Sequence, residues 1–258
     1  WEPLILTSPK HEESWKGKQE PEECINGFTY YRTGKATGKF PIEREIRLME
    51  ALYGRICQVA DNVGPDVIHS HSPVLNAVPA LRAGRKLGLP VVYEIRAFWE
   101  DAAVDHGTYT ENSLKYRMVK SLETWACHRV DHVAILCNGL KNDLARRGIP
   151  QEKITPIFNA VNPEEFQDQA PNETYLREWG LEGKTVIGFI GSFYRYEGLD
   201  LLVTAFSRLA DRYPHTALLL VGGGEMRENL GEKARKLAIS HRVIMPGRVP
   251  HERIAGVY

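Results

Sequence analysis

VIGFIGSFYRYEGLDLLVTAF, residues 186–206, holds three signals in a row. Residues 186–190 (VIGFI) are an apolar run of strand length. Residues 191–198 (GSFYRYEG) begin and end on glycine, the mark of a turn. From residue 199 to 213 the pattern becomes helical. Strand, glycine turn and helix in this order make one βα unit of a parallel sheet.

The same unit recurs downstream. A strand is expected at 217–221 (ALLLV), followed by Gly222-Gly223-Gly224, a helix at 225–239, a strand at 242–245 (RVIM) and the start of a further helix. Upstream, strands are expected at 4–8, 28–32, 66–71, 91–95, 132–137 and 154–158. Helical patterns at 44–63, 76–87, 111–129 and 139–147 lie among them, the first two stopped by Gly64-Pro65 and Gly88. Residues 10–27 are polar and rich in Glu and Lys, which predicts a surface loop. Residues 160–183 interrupt the rhythm, and Pro163, Pro171 and the polar stretch 167–173 predict a linker. The chain therefore reads as α/β: a Rossmann-like domain over 1–165, a linker over 166–183, and a second such domain starting at 184 and running to 258.

Composition narrows the function. Lys plus Arg and Asp plus Glu both number 33, so no basic excess is present for a nucleic-acid surface. With no apolar run of membrane-spanning length, no spanning segment is expected. Four cysteines without a C-x-x-C pair predict reduced, buried thiols, Cys127 and Cys137 in apolar surroundings, rather than a zinc site. The sequence opens on Trp1 and closes on Tyr258 inside a helical pattern, so it is expected to be a fragment.

In open parallel sheets ligands bind beyond the carboxyl ends of the strands. In the second domain that places Gly191, Ser192 and Arg195 at a helix N-terminus, where free N–H groups and a guanidinium attract phosphate. The alternative is an ordinary exposed Arg195, with Glu197 a favourable anion near the helix start. Gly223 lies in a glycine run that fails the G-x-G-x-x-G pattern because Arg227 takes the last place. Gly247 and Val249 leave the last strand, as a plain turn or the edge of a base pocket. In the first domain, His69 and His71 share one side of a strand, and no nearby cluster completes a metal site, so none is expected. Glu94, Arg96, Phe98, Trp99, Glu100 and Asp101 end the next strand; aromatic rings and carboxylates suit sugar binding, and Glu94 with Arg96 equally suits an ion pair.

In their order, DVIHSHSP (66–73), VVYEIRAFWED (91–101), PIFNAVNPEEF (156–166), IGFIGSFYRYEGLD (187–200), LLLVGGGE (218–225) and VIMPGRVP (243–250) resemble glycosyltransferase family 4 over nearly the whole chain. YEIRAFWED and GSFYRYEGLD are most similar to bacterial members associated with exosortase and exopolysaccharide loci. The resemblance implies the GT-B fold, two Rossmann-like domains facing a cleft, and a retaining hexosyltransferase acting from a nucleotide-sugar donor to a glycan or lipid-linked acceptor. It implies donor contacts at Gly191, Ser192, Arg195, Gly223, Gly247 and Val249, and catalytic or acceptor-side roles for Arg96, His71, Glu94 and Trp99. Ser192 stands where the family's common pattern has Arg, Glu197 where it has Lys, and Arg96 where many members have His. No metal and no cofactor are implied. The implied location is cytoplasmic, with peripheral association at the inner face of the membrane left open. The resemblance also implies that the first strand and its glycine loop precede Trp1, that a pair of glutamates follows Tyr258, and that residues 1–258 alone are inactive. A GT-B sugar-nucleotide epimerase and a non-catalytic sugar- or nucleotide-binding module are the competing readings.

Overall fold

A computed structural model of the chain describes residues 2–10, 20–166 and 172–258. The chain divides after Asn159 into two compact units.

The first unit holds two sheets. Strands β1 (Ile5–Thr7), β2 (Glu22–Ile25) and β3 (Phe28–Arg32) pair in the order β1-β3-β2. Strand β2 falls in the stretch expected to be a loop, of which residues 11–19 lie outside the described residues. It forms because Asn26 and Gly27 both take positive φ (52° and 83°), closing a two-residue hairpin that pairs Ile25 with Phe28. Helix α1 (Pro41–Val63) follows, with proline in its first turn and Gly64 at its carboxyl cap.

The second sheet is wholly parallel: β4 (Ile68–His71), β5 (Val91–Ile95), β6 (His132–Ile135) and β7 (Ile154–Pro156), in that order. Its crossovers carry α2 (Val74–Leu87), α3 (Trp99–Asp105), α4 (Leu114–Arg129) and α5 (Asn138–Arg146). Helix α3 occupies part of a stretch that has no sequence-level helix expectation. Tyr93 and Ile95 of β5 are fully buried and share one core with Ala77, Leu81, Ala126, Val133, Ile135 and Leu144. Cys127 lies in this core, whereas Cys137, expected in apolar surroundings, is exposed at the N-cap of α5.

In the second unit, the described part of the expected linker contains helix α6 (Glu173–Glu178). Its N-cap Asn172 accepts hydrogen bonds from the backbone N–H groups of Thr174 and Tyr175. Leu176, Trp179 and Leu181 then pack on the sheet, so this segment is part of the second unit rather than a free linker; linker residues 167–171 lie outside the described residues. The sheet is β8 (Thr185–Ser192), β9 (Thr216–Gly223) and β10 (Val243–Gly247), parallel in the order β10-β9-β8. Central β9 is buried from Thr216 to Val221, which is why ALLLV reads as continuous apolar sequence rather than alternation. Leu218 and Leu220 pack with Val203 and Phe206 of α7 (Leu199–Ala210) and Leu230 of α8 (Arg227–Lys236). Ala217, Leu219 and Val221 point the other way, towards Leu181. The helical pattern at the end of the sequence takes the form of 3-10 turns over His251–Val257.

The glycine run after β9 is fixed by contact with the end of β8. Gly222 has φ of 136°, and a Cβ there would lie 1.8 Å from the carbonyl oxygen of Gly191. Gly222→Ala is therefore expected to destabilise the second unit by about 1–3 kcal/mol or more, through overpacking and backbone strain together. Urea unfolding checks this, and an unchanged midpoint would show that the β8 and β9 ends move apart freely.

Candidate functional site

The carboxyl ends of β4 and β5 bring the first unit's expected site residues together. Parallel register pairs His71 with Glu94, so that carboxylate lies beside the histidine strand. His69 Nε2 is 3.2 Å from one Glu94 oxygen, and His71 Nδ1 is 3.5 Å from the other. The two imidazoles stack with ring centroids 4.7 Å apart. The Glu94 side chain is 14% exposed, while those of His69 and His71 are about half exposed, so the cluster has a closed floor and an open mouth. Burial of the His71 ring is the largest influence on it and lowers its pKa; nearby His69 and Arg96 act in the same direction against Glu94. His71 is thus neutral at physiological pH, able to accept or donate a proton.

Arg96 follows β5. Its guanidinium lies 3.7 Å from Glu94 and 3.5 Å from the Asn159 side-chain oxygen, and its backbone N–H donates to Ser72 Oγ. These are long contacts on an exposed side chain, so the ion pair holds Arg96 only loosely. Trp99, three residues further on, is exposed.

Within this charged stretch Glu100 turns inward, against the expectation that its carboxylate holds a sugar hydroxyl, while Asp101 stays exposed. Glu100 is fully buried and pairs with Arg147 Nη1 at 2.7 Å. The Arg147 guanidinium also lies 3.9 Å from the ring centroid of Phe98, and its Nε bonds to Asp143. Asp101 accepts a hydrogen bond from the Tyr116 hydroxyl. On the same floor, the Tyr93 hydroxyl donates to buried Glu123 at 2.5 Å. Glu100 and Asp101 are anchors of the segment that presents Arg96 and Trp99. The sequence signal for this was weak, because their partners lie on α4 and at the end of α5.

In the second unit, every strand's carboxyl end carries glycine: Gly191 on β8, Gly222 and Gly223 on β9, and Gly247 on β10. Their work differs. A Cβ on Gly224 would meet the backbone of Phe193 at 2.7 Å, so Gly224 joins Gly222 in packing the two loops. A Cβ on Gly223 would meet the Arg248 side chain at 3.6 Å, which places that guanidinium stem over the end of β9. Gly247, at φ of 105°, has no neighbour that a Cβ would touch. Ser192 and Arg195 are exposed, Arg195 within the turn that leads into α7. Among the described residues, neither Arg195 nor Arg248 has an ion pair or side-chain hydrogen bond with the protein. Val249 packs against the core that contains Leu219 and Val221, so it shapes the turn from beneath. Arg227, which breaks the glycine pattern, donates to the Met245 and Gly222 carbonyls and ties α8 to the sheet.

The model for Glycosyltransferase Family 4 matches residues 13–165, and that for Glycosyl transferases group 1 matches residues 171–258. The chain is 26% identical over 219 residues to the phosphatidylinositol N-acetylglucosaminyltransferase GPI3 subunit of Saccharomyces cerevisiae, covering 84% of this chain and 43% of that relative. It thus spans less than half the length of that protein. Among solved structures, HepE of Anabaena in complex with UDP and glucose superposes with a TM-score of 0.68 at 14% identity, over 90% of this chain and 58% of that one. Sucrose-phosphate synthase of Thermosynechococcus elongatus gives 0.69 at 16% identity, over 97% and 65%. The fold class is the one these structures share, GT-B with Rossmann-like sheets.

The buried floor of the first unit has a pH signature of its own. Burial raises the Glu123 pKa to about 7, with the charge of Glu100 adding to the rise and the Tyr93 hydrogen bond and Arg147 opposing it. An unfolded glutamate titrates near pH 4.3. The folded-state value is the higher one, so this stabilising contribution is complete below about pH 4 and is lost as pH rises through about 7. The stability of the native protein relative to Glu123→Gln should therefore fall by about 3 kcal/mol between pH 4.5 and 8. Urea unfolding across that range checks it; a difference independent of pH would show that Glu123 is ionised in the folded state throughout.

Proposed function

The chain belongs to Glycosyltransferase Family 4, and we propose that the whole protein transfers a hexose from a nucleotide sugar to a glycan or lipid-linked acceptor. Retention of anomeric configuration, a cytoplasmic location and a role in bacterial surface polysaccharide synthesis are parts of the proposal. The wording of YEIRAFWED and GSFYRYEGLD supports the last of these and the exosortase-associated subgroup.

The observation that carries the reading is a pair of exposed arginines at the carboxyl edge of the second unit's sheet, without an ion pair or side-chain hydrogen bond among the described residues. Arg195 follows β8, and Arg248 follows β10 and lies over Gly223. A nucleotide sugar leaves its diphosphate behind with growing negative charge, and preorganised guanidinium groups stabilise that charge. The second unit is accordingly the donor unit, with Gly191, Ser192, Arg195, Gly223 and Gly247 beside the diphosphate and base. Val249 acts through the shape of its turn. Arg248 joins this set as a cation that the sequence reading passed over. The first unit is the acceptor unit: neutral His71 takes or relays the acceptor proton, Glu94 orients it, Arg96 binds an acceptor hydroxyl or phosphate, and Trp99 offers a ring for stacking. The proposed reaction needs no cofactor and no enzymatic nucleophile.

Helix α4 supports the peripheral membrane association that a lipid-linked acceptor would require. Leu114 and Met118 are 76% and 64% exposed, Leu122 continues their stripe, and Lys115, Arg117 and Arg129 flank it. No helix among the described residues is long and apolar enough to cross a membrane.

The test is donor turnover by the whole protein over a panel of nucleotide sugars, with and without acceptor. Acceptor-dependent release of nucleoside diphosphate and a product of unchanged anomeric configuration are expected. Arg195→Ala and Arg248→Ala should each weaken donor binding by about 1.5–3 kcal/mol. Arg96→Ala should lower turnover strongly at nearly constant melting temperature. Donor binding unchanged in both arginine variants, with the fold intact, would remove this edge from the donor site.

A further inference from the structure

Helix α4 turns one face to the core and a face of opposite character to solvent. Hydrogen bonds pin the inward side: Glu123 accepts from the Tyr93 hydroxyl, and the Tyr116 hydroxyl donates to Asp101. Ala126 and Cys127 fill the core of the first unit from the same helix. With its rotation held in this way, α4 leaves Leu114, Met118 and Leu122 outside on successive turns. Their spacing of four residues lays a stripe about 12 Å long along the axis.

Beside the stripe lies an open depression of about 590 Å³. Arg117, Lys120, Ser121, His128 and Arg129 line it, with Trp125 and Arg147 completing the wall. Among the described residues no carboxylate lines it. The Arg147 charge is met by Glu100 and Asp143, so it adds little. Lys120 and Arg129 lie over the rings of Tyr116 and Trp125, which holds two of the remaining cations in place. Glu123 is the one acid of α4, and it is buried. By helical period Lys115 stands on the other flank of the stripe. The outward face is therefore apolar along its centre, basic on both sides and free of acid.

We infer that this face of α4 docks on a bilayer containing anionic phospholipid: Leu114, Met118 and Leu122 enter the headgroup boundary, and the depression seats a lipid phosphate. The inference rests on the peripheral association proposed above and names its lipid class and the residues that hold it.

The composition of the face selects this occupant. A helix lying in the membrane interface needs an apolar stripe for the acyl boundary and Lys or Arg beside it for the headgroups, and α4 has both. Lipid phosphates supply the counter-charge that this surface of the protein lacks, and guanidinium, ammonium and hydroxyl donors suit phosphate oxygens. Each Lys or Arg at an anionic surface strengthens binding about fivefold, so Lys115, Arg117, Lys120 and Arg129 together supply on the order of several hundredfold. A second copy of the chain is a poor occupant, because a twofold contact through this face would set its cations against their own copies.

The experiment is co-sedimentation of the whole protein with vesicles, read beside donor turnover on a soluble acceptor. Vesicles of phosphatidylglycerol mixed with phosphatidylcholine should bind the protein, pure phosphatidylcholine should bind it at least about tenfold more weakly, and added salt should weaken the first. The double variant Arg117→Gln/Lys120→Gln should lose about tenfold or more of the binding to anionic vesicles. Leu114→Ser/Met118→Ser should lose binding to a similar extent, and both variants should keep the native circular dichroism and the native turnover on soluble acceptor. Equal binding to the two kinds of vesicle, binding to neither, or folded variants that bind like the native protein would each overturn the inference. So would a dimer that Leu114→Ser/Met118→Ser dissociates in the absence of vesicle binding, which would assign the face to self-association. Vesicle binding that follows the expected pattern without any turnover would uphold the docking face and tell against the transferase reading instead.

Discussion

Glu100 is fully buried beneath the end of β5, with one carboxylate oxygen on Arg147 and the other without a hydrogen-bond partner. A charge in that position is costly unless it is paired, and here the pair crosses from the segment after β5 to the turn after α5. The consequence is directional. Because Phe98 and Glu100 are drawn inward, Arg96 and Trp99 on the same short segment face solvent. The Tyr116 hydroxyl, donating to exposed Asp101, fastens the following turn. The chemistry offered at the surface of the first unit therefore depends on an ion pair that takes no part in it.

The second unit reaches a comparable result by other means. Its frame is the contact between the ends of β8 and β9, where Gly222 and Gly224 leave no room for a side chain. Phe193 is buried between them and bonds through its backbone to Gly223 and Met226. With the backbone held this way, Ser192, Arg195 and Arg248 stay outside on a parallel-sheet edge, the part of such a fold that binds ligands. In both units, buried polar or steric contacts fix the strand ends, and exposed cations are left at the surface beside them.

Much of this was legible in the sequence where the signal is local. The runs VVYEI and ALLLV identify buried parallel strands, and Gly64 and Gly88 end their helices with the left-handed conformation that glycine permits. The Asn26-Gly27 hairpin was also local, but the polar residues around it masked the short strand β2. Helix α3 is only seven residues long, too short to show a helical period. What could not be read was partnership at long range. H-x-H on β4 is visible at once, yet Glu94 becomes its third member only through the register of β4 and β5. Likewise, Leu114, Met118 and Leu122 have the spacing of a core stripe, and only the packed helix shows that the stripe faces outward.

The dependence of the first unit on its buried ion pair is open to one direct measurement, a double-mutant cycle on Glu100 and Arg147 read by urea unfolding. Arg147→Met should cost about 3–5 kcal/mol, because it strands the Glu100 charge in the interior, and Glu100→Leu less, because Asp143 still pairs with Arg147. The double variant, which buries no charge there, should cost far less than the sum of the two. If the two costs simply add, the pair is not what holds the segment bearing Arg96 and Trp99 in place.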